Sequence, residues 1–252
     1  MATKIVLQSQ IKNFSSIIQN LVGFSDYIRM SITSDACLMD TVNDSRTSLC
    51  KIKLSSGWFT EYVVESAVTL IINTSILYKI IHVLDDNYPI VLVIHTNELV
   101  IQGRSIQSEV TYTIPSHVID LPEIDVPDNI EYAVDISMSS KTLCSILEHL
   151  MIIGEDCKLL IEEDKMKFSS KGDYGTTDIN LTIEELDAYA VEENIQLQLE
   201  FQLKMLHVVS LFHKISGLTE IHVSKDSPLV IQYNMVDGSY IRFMIAPKIS
   251  DD

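Results

Sequence analysis

Ser139–Gly154, SSKTLCSILEHLMIIG, is the stretch that decides the fold. Leu143, Ile146, Leu147, Leu150 and Met151 recur at the i, i+3, i+4, i+7 spacing that gathers them on one face of a helix. The Ser139-Ser140 pair ahead of them suits an N-cap, and Gly154 behind them suits the C′ position of a helix end. Three more stretches have the same form. Ile11, Phe14, Ile17, Ile18, Leu21 and Val22 make one stripe. Ile76, Leu77, Ile80, Ile81 and Leu84, after the capping run Asn73-Thr74-Ser75, make a second. Leu203, Leu206, Val209 and Ile215, with Gly217 behind them, make the last. Taken as windows 9–22, 74–84, 139–153 and 203–216, the helices start 65, 65 and 64 residues apart.

Between the helices the pattern changes to short strands. They are expected at Tyr27–Thr33, Thr47–Leu54, Ile90–His95, Val110–Ile114, Ile195–Phe201, Glu220–Ser224, Leu229–Tyr233 and Tyr240–Ile245. Polar pairs such as Thr96-Asn97, Glu163-Asp164 and Asp237-Gly238 mark the turns. A fixed period of this kind implies one supersecondary unit used four times. The fold class is therefore α+β, with two similar domains, each of two helices packed on antiparallel sheets. The join is placed at 117–132, HVIDLPEIDVPDNIEY, between domains 1–116 and 133–252. Its Pro122 and Pro127 exclude a central strand, and five acidic residues keep it solvated. Ile124 and Val126 stand out there as apolar residues that either pin the connector to a sheet or serve a surface.

Charge supplies the functional clue. The chain has 252 residues, 18 Lys+Arg against 35 Asp+Glu, and a formal net charge of −17, which on its face argues against nucleic acid. The four helix windows hold about a fifth of the residues, so seven or eight acids are expected there, yet only Glu148 is present. Glutamate is a good helix former that normally solubilises exposed faces, so its absence needs a cause. The same windows carry Lys12, Lys79, Lys141, Lys204 and Lys214, with His82, His149, His207 and His213. Burial on all sides would also remove acids, but each helix keeps a polar face with lysine. The remaining reading is that these faces meet a polyanion through phosphate charge, without base reading.

Other chemistry is not indicated. Cys37, Cys50, Cys144 and Cys157 lack C-x-x-C spacing and read as reduced core thiols; neither metal nor cofactor is expected. There is no P-loop, G-x-S-x-G, G-x-G-x-x-G or H-E-x-x-H, and no run approaches the ~18 apolar residues of a membrane span. The expected product is a non-enzymatic intracellular protein.

Over nearly its whole length the sequence resembles the eukaryotic-type sliding clamp family, proliferating cell nuclear antigen. The most specific residues are Ser227-Pro228-Leu229-Val230-Ile231-Gln232-Tyr233 and Tyr240-Ile241-Arg242-Phe243-Met244-Ile245-Ala246-Pro247-Lys248-Ile249 before an acidic tail. Ser48-Leu49, Glu131-Tyr132, Ile153-Gly154-Glu155 and Lys167–Asp173 (KFSSKGD) follow the family pattern in order. The resemblance implies the DNA-clamp fold and a homotrimeric ring whose helices line a hole. Lys12, Lys79, His82, Lys141, His149, Lys204, His207 and Lys214 would then face double-stranded DNA. It implies subunit joints through Val110, Tyr112 and Ile114 on one strand and Thr177, Ile179 and Leu181 on another. It implies a partner-peptide pocket of Val42, Arg46, Ile124, Val126, Pro228, Met244, Ile245, Ala246 and Pro247. DNA polymerase and other clamp-binding proteins, a clamp-loader ATPase, and a location in the nucleus or a viral replication compartment follow from the same resemblance. Two residues depart from the pattern: Met244 stands where an aromatic ring is common, and Glu163 stands where the family carries a modifiable lysine. A checkpoint-type heterotrimer and a scaffold never loaded onto DNA remain alternatives.

Overall fold

The computed structural model of the protein describes residues 3–122 and 131–248, so Ile124 and Val126 lie outside the described residues. Four segments of one design follow each other along the chain. The first runs β1 (Thr3–Leu7), α1 (Ile11–Val22), β2 (Tyr27–Ile32), β3 (Ala36–Val42), β4 (Ser48–Ser55) and a short β5 (Glu61–Val63). The second is β6 (Val68–Asn73), α2 (Thr74–Val83), β7 (Ile90–Ile94), β8 (Glu98–Ser105) and β9 (Ser108–Pro115). The third is β10 (Val134–Ser139), α3 (Ser140–Met151), β11 (Asp156–Glu162), β12 (Lys165–Gly172), β13 (Gly175–Leu181) and a short β14 (Ala188–Val191). The fourth is β15 (Gln196–Gln202), α4 (Leu203–Ser210), β16 (Leu218–Val223), β17 (Leu229–Asn234) and β18 (Tyr240–Ile245). Each repeat is thus a strand, a helix and three further strands, with a short fourth strand added in the first and third.

The strand leading into each helix does not pair with the three long strands that follow that helix. β1 pairs with β7 (Ile5 opposite Leu92), and in return β6 pairs with β2 (Met30 opposite Leu70). β10 pairs with β16 (Ile136 opposite Ile221), and β15 pairs with β11 (Leu159 opposite Leu199). The chain accordingly divides into two compact units, one from the first half with the Met235–Ile241 segment, the other from the rest of the second half. In the first unit the sheets run β5-β1-β7-β8-β9 and β4-β3-β2-β6. In the second they run β13-β12-β11-β15 and β14-β10-β16-β17-β18. No repeat can close its own sheet, so the folding unit is the pair.

Two of the helices are capped by the side chain of the residue that ends the preceding strand. Asn73 ends β6 and caps α2, its Oδ1 accepting from Ile76 N–H at 2.9 Å; Ser139 does the same for α3, accepting from Thr142 N–H at 3.4 Å. The next residue in each case is a buried hydroxyl that ties the paired helices together. Thr74 Oγ1 donates to Ser25 O at 2.6 Å, beyond the end of α1, and Ser140 Oγ donates to Ser216 O at 2.5 Å, beyond α4. Ile11, Phe14, Ile17, Ile18 and Leu21 are all buried on one face of α1. At about 2 kcal/mol each that burial supplies roughly 10 kcal/mol of gross driving force, most of it offset by chain entropy. The second unit's core centres on Phe212, whose ring lies 5.0 Å from Phe243 and 6.2 Å from Tyr233.

Three expectations are corrected. Val22, Ile76 and Met151 are exposed rather than in the core, because they sit in a last turn or at the flank of the stripe. The fourth helix stops at Ser210 and continues only as a 3₁₀ turn, Leu211–Lys214, so Lys214 is not on α4. Gly154 does not end α3 in a left-handed conformation; the positive-φ glycines among the described residues are Gly175 and Gly238. Its constraint is close approach. A Cβ there would lie 2.5 Å from Ser170 Oγ and 2.6 Å from Lys171 O. Across the same contact, a Cβ on Gly172 would lie 1.9 Å from Ile153 O. Gly172→Ala should therefore destabilise the fold by on the order of 3 kcal/mol, since backbone must shift to admit the methyl. An unchanged urea midpoint would refute that close packing.

All four cysteines are reduced and buried. Burial pushes the Cys37 and Cys157 thiols from an ordinary 9.0 up to about 12, and raises Cys50 as well, so these three are not nucleophiles near neutrality. The sign follows directly. Between pH 9 and 12 the unfolded chain loses these protons while the native chain keeps them, so their burial costs stability as pH rises through that window. Native protein at pH 8 should leave a thiol reagent unreacted, whereas unfolded protein consumes four equivalents; rapid native labelling would contradict the burial.

Candidate functional site

Each helix turns its apolar stripe inward and leaves a polar face exposed. On α1 that face carries Lys12 and Gln19; on α2, Lys79 and His82; on α3, Lys141, Glu148 and His149. Lys204 is exposed on α4, His207 is half-buried, and Lys214 is exposed on the 3₁₀ turn that follows. Positions 141, 145, 148 and 149 fall within about one third of the helix circumference, since successive residues are about 100° apart.

The caps reveal what composition could not. Lys12, Lys141 and Lys204 each occupy the second position of their helix, and no acidic side chain stands in the first turn of any α-helix. The helix dipole makes that turn the worst place for a cation and the best for a carboxylate, by about 0.3–1 kcal/mol per charge. Local helix stability therefore opposes the pattern three times over. The cost is intelligible if the lysines answer to an external anion. The histidines fall at the opposite, favourable ends: His82, His149 and His207 all lie in last turns. His149 Nδ1 lies 2.7 Å from Ser145 O, and His82 packs its ring 5.3 Å from Tyr78. Lys12 shares an exposed ion pair with Asp86 at 3.3 Å, which weakens its field.

The two strands assigned to subunit joints are both sheet edges. β9 ends one sheet and β13 ends another. Val110 and Tyr112 are half-buried and Ile114 buried, all on one face of β9; Thr177, Ile179 and Leu181 are half-buried on one face of β13. Unpaired edges of seven and eight residues are an aggregation hazard unless something covers them. On the second unit the joint residues meet the cationic ones: Ile179 and Leu181 line an open groove of about 580 Å³ together with Lys141, Thr142, Ser145 and His149 of α3. The sequence kept these two groups apart.

The residues assigned to a partner-peptide pocket fall in both units and differ in exposure. Val42 closes β3 and is buried; Arg46, at φ 58° in the β3–β4 turn, is exposed. That turn is held by Asn43, whose Oδ1 accepts from the N–H groups of Thr47 and Ser48 at 2.9 Å each. In the second unit Met244 and Ile245 are buried, Pro228 and Ala246 exposed and Pro247 half-buried. Met244 is 6% exposed, so its departure from an aromatic ring is chiefly a matter of core packing. Ile124 and Val126 lie outside the described residues.

Both ends of the connector are fixed by contacts that the sequence did not reveal. His117 N–H donates to Ile71 O at 2.8 Å, its ring meets Tyr27 edge-on at 5.0 Å, and Arg29, paired with Asp40, donates to Leu121 O at 2.5 Å. At the other end Tyr132 stacks on His222 at 5.2 Å, and His222 is held by Asp135 at 2.5 Å. Burial raises the Tyr132 hydroxyl above its ordinary value, so the ring stays neutral. Glu163, in the turn between β11 and β12, accepts from the N–H of Asn194, a residue with φ 60°. That carboxylate fastens two loops where a lysine would project.

Comparison with known proteins agrees with this architecture. Residues 125–248 match the family described as proliferating cell nuclear antigen, C-terminal domain. A crystal structure of the PCNA2–PCNA3 complex from Sulfolobus tokodaii superposes with a TM-score of 0.85 and 25% identity, over 97% of this chain and 99% of that one. With the fourfold strand–helix repeat, the paired units and the two edge strands already in place, residues 125–248 are a proliferating cell nuclear antigen C-terminal domain, and the chain as a whole has the sliding-clamp fold.

Proposed function

We propose that three copies of this chain close into a ring through β9 and β13, that the ring encircles duplex DNA without reading its sequence, and that it tethers a polymerase and other replication and repair proteins. The observation that carries this reading is the placement of Lys12, Lys141 and Lys204 at the second position of acid-free helix starts. A helix of 12 residues is about 18 Å long, and duplex DNA presents one phosphate charge per ~1.7 Å, so about ten phosphates pass each helix layer. Five lysines per copy make fifteen in a trimer, enough for loose, salt-sensitive contact and too few, without base-reading side chains, for tight site binding. The strongly acidic remainder of the chain would disfavour DNA on the outer surface. A clamp loader supplies the nucleotide hydrolysis that opens the ring; the role of this chain is mechanical, in a nucleus or a viral replication compartment.

The particle should sediment as three times 28.4 kDa. Replacing Lys79, Lys141 and Lys204 together by Glu should leave that mass intact while lowering polymerase processivity on primed circular DNA by about tenfold or more at moderate salt. Unchanged processivity in an intact ring would reject the DNA role. A second reading has one observation in its favour: one similar solved structure is a complex of two different clamp chains. A heteromeric ring would leave this chain monomeric until its partner is added.

Partner capture is assigned to Val42, Arg46, Ile124, Val126, Pro228, Met244, Ile245, Ala246 and Pro247. Ile124 and Val126 replaced by Ser should weaken a polymerase-derived clamp-binding peptide by about tenfold, read by calorimetry, without changing the particle mass. Equal affinity would remove the connector from the pocket.

A further inference from the structure

The β8–β9 hairpin turns through Ile106-Gln107 between paired Ser105 and Ser108. Ile106 has φ 50°, in the left-handed region that suits glycine and that a β-branched side chain adopts only under strain. It is also 93% exposed, which leaves almost no room for a compensating contact within its own chain. The β12–β13 hairpin ends likewise, on Tyr174, 94% exposed. These two tips adjoin the two edge strands assigned to the subunit joint. A third exposed residue, Val118, lies just past the end of β9 and is 102% exposed, with Ile119 beside it.

Register connects them. In an antiparallel pair, residues directly opposite share a face of the sheet. Val110, Tyr112 and Ile114 share one face of β9, and Thr177, Ile179 and Leu181 one face of β13. All six are matched when Tyr112 faces Ile179, Val110 faces Leu181 and Ile114 faces Thr177. A slip of one residue would put the two apolar sets on opposite faces, and a slip of two would leave one residue of each set without a counterpart. Continued three steps beyond Ile114, the matched register brings Tyr174 alongside His117 and Val118. Continued four steps beyond Val110, it brings Ile106 to the 3₁₀ turn Ile183–Glu185, whose Ile183 and following Leu186 are half-buried.

We propose that Ile106 and Tyr174 are end pins of the subunit joint, each seated on a second copy of this chain: Tyr174 on Val118 and Ile119, Ile106 on Ile183 and Leu186. The pins rest on the ring reading above and add to it a preferred register, because a slip of two in either direction would shift one tip or the other away from its seat. The strain at Ile106 is then the cost of presenting a large apolar side chain beyond the strand end.

Sedimentation equilibrium over a dilution series tests this, with thermal melts of each variant in parallel. Ile106→Gly, Tyr174→Ser and Val118→Ser should each weaken the joint by about tenfold, the order expected for uncovering one apolar side chain. Ile106→Gly should hold or raise the melting temperature of the dilute monomer, because glycine relieves the backbone while removing the pin. A purely local role for Ile106 would not separate the two readouts. Tyr174→Ser with Val118→Ser should weaken the joint by less than the product of the single effects; an independent product would overturn their contact. Tyr112→Arg, in the middle of β9, serves as the control for the ring itself. Variants that assemble like the parent while Tyr112→Arg falls to monomers would overturn the pins and leave the ring standing. A parent chain that sediments as a monomer, unaffected by Tyr112→Arg, would remove both.

Discussion

The structure depends on one constraint, the exchange of leading strands between paired repeats. β1 and β6 trade places across the first unit, and β10 and β15 across the second. Each exchanged strand carries its own helix directly behind it, so the trade also brings two helices side by side. The buried hydroxyls of Thr74 and Ser140 lock that pairing by bonding backbone just past the neighbouring helix. Buried hydrogen bonds of this kind matter less for their net energy than for the penalty of leaving them unmade. The helices are thereby confined to one position, with apolar stripes inward and lysines outward.

Charge follows from that confinement. A protein with net charge −17 keeps almost all its carboxylates off four helices and places three lysines where the helix dipole resists them. Each placement works against local stability by a fraction of a kilocalorie, and the fold tolerates it because tertiary packing, not propensity, stabilises these helices. Lysine on an acid-free helix face makes that face the least repulsive part of an otherwise acidic molecule towards an anion.

The sheet edges are the third consequence. Exchange closes the sheets internally but leaves β9 and β13 at the ends of theirs. A short strand, β5 beside β1, ends the sheet of β9 at its other edge, and another, β14 beside β10, ends a separate sheet. β9 and β13 are longer, carry alternating apolar residues, and end in hairpins tipped by Ile106 and Tyr174. Edges that a fold leaves this apolar are shaped for pairing.

The sequence by itself determined the four helices, their spacing, the α+β class and the acid-free polar faces. These depend on periodicity and composition, which act over a few turns of chain: Leu143, Ile146, Leu147 and Leu150 declare a buried face wherever the helix is placed. It also displayed the family's C-terminal residues. It misjudged Gly154, because a helix-terminating glycine and a glycine that admits a neighbouring strand look alike in one dimension. It ran α4 on to residue 216, because apolar spacing does not distinguish an α-helix from the 3₁₀ turn that follows. Only the tertiary structure decided which strand pairs with which, that Lys141 and His149 share a groove with Ile179 and Leu181, and that Arg29 and His222 hold the two ends of the connector. Those relations join residues tens of positions apart, and strand exchange between repeats leaves no mark in local periodicity.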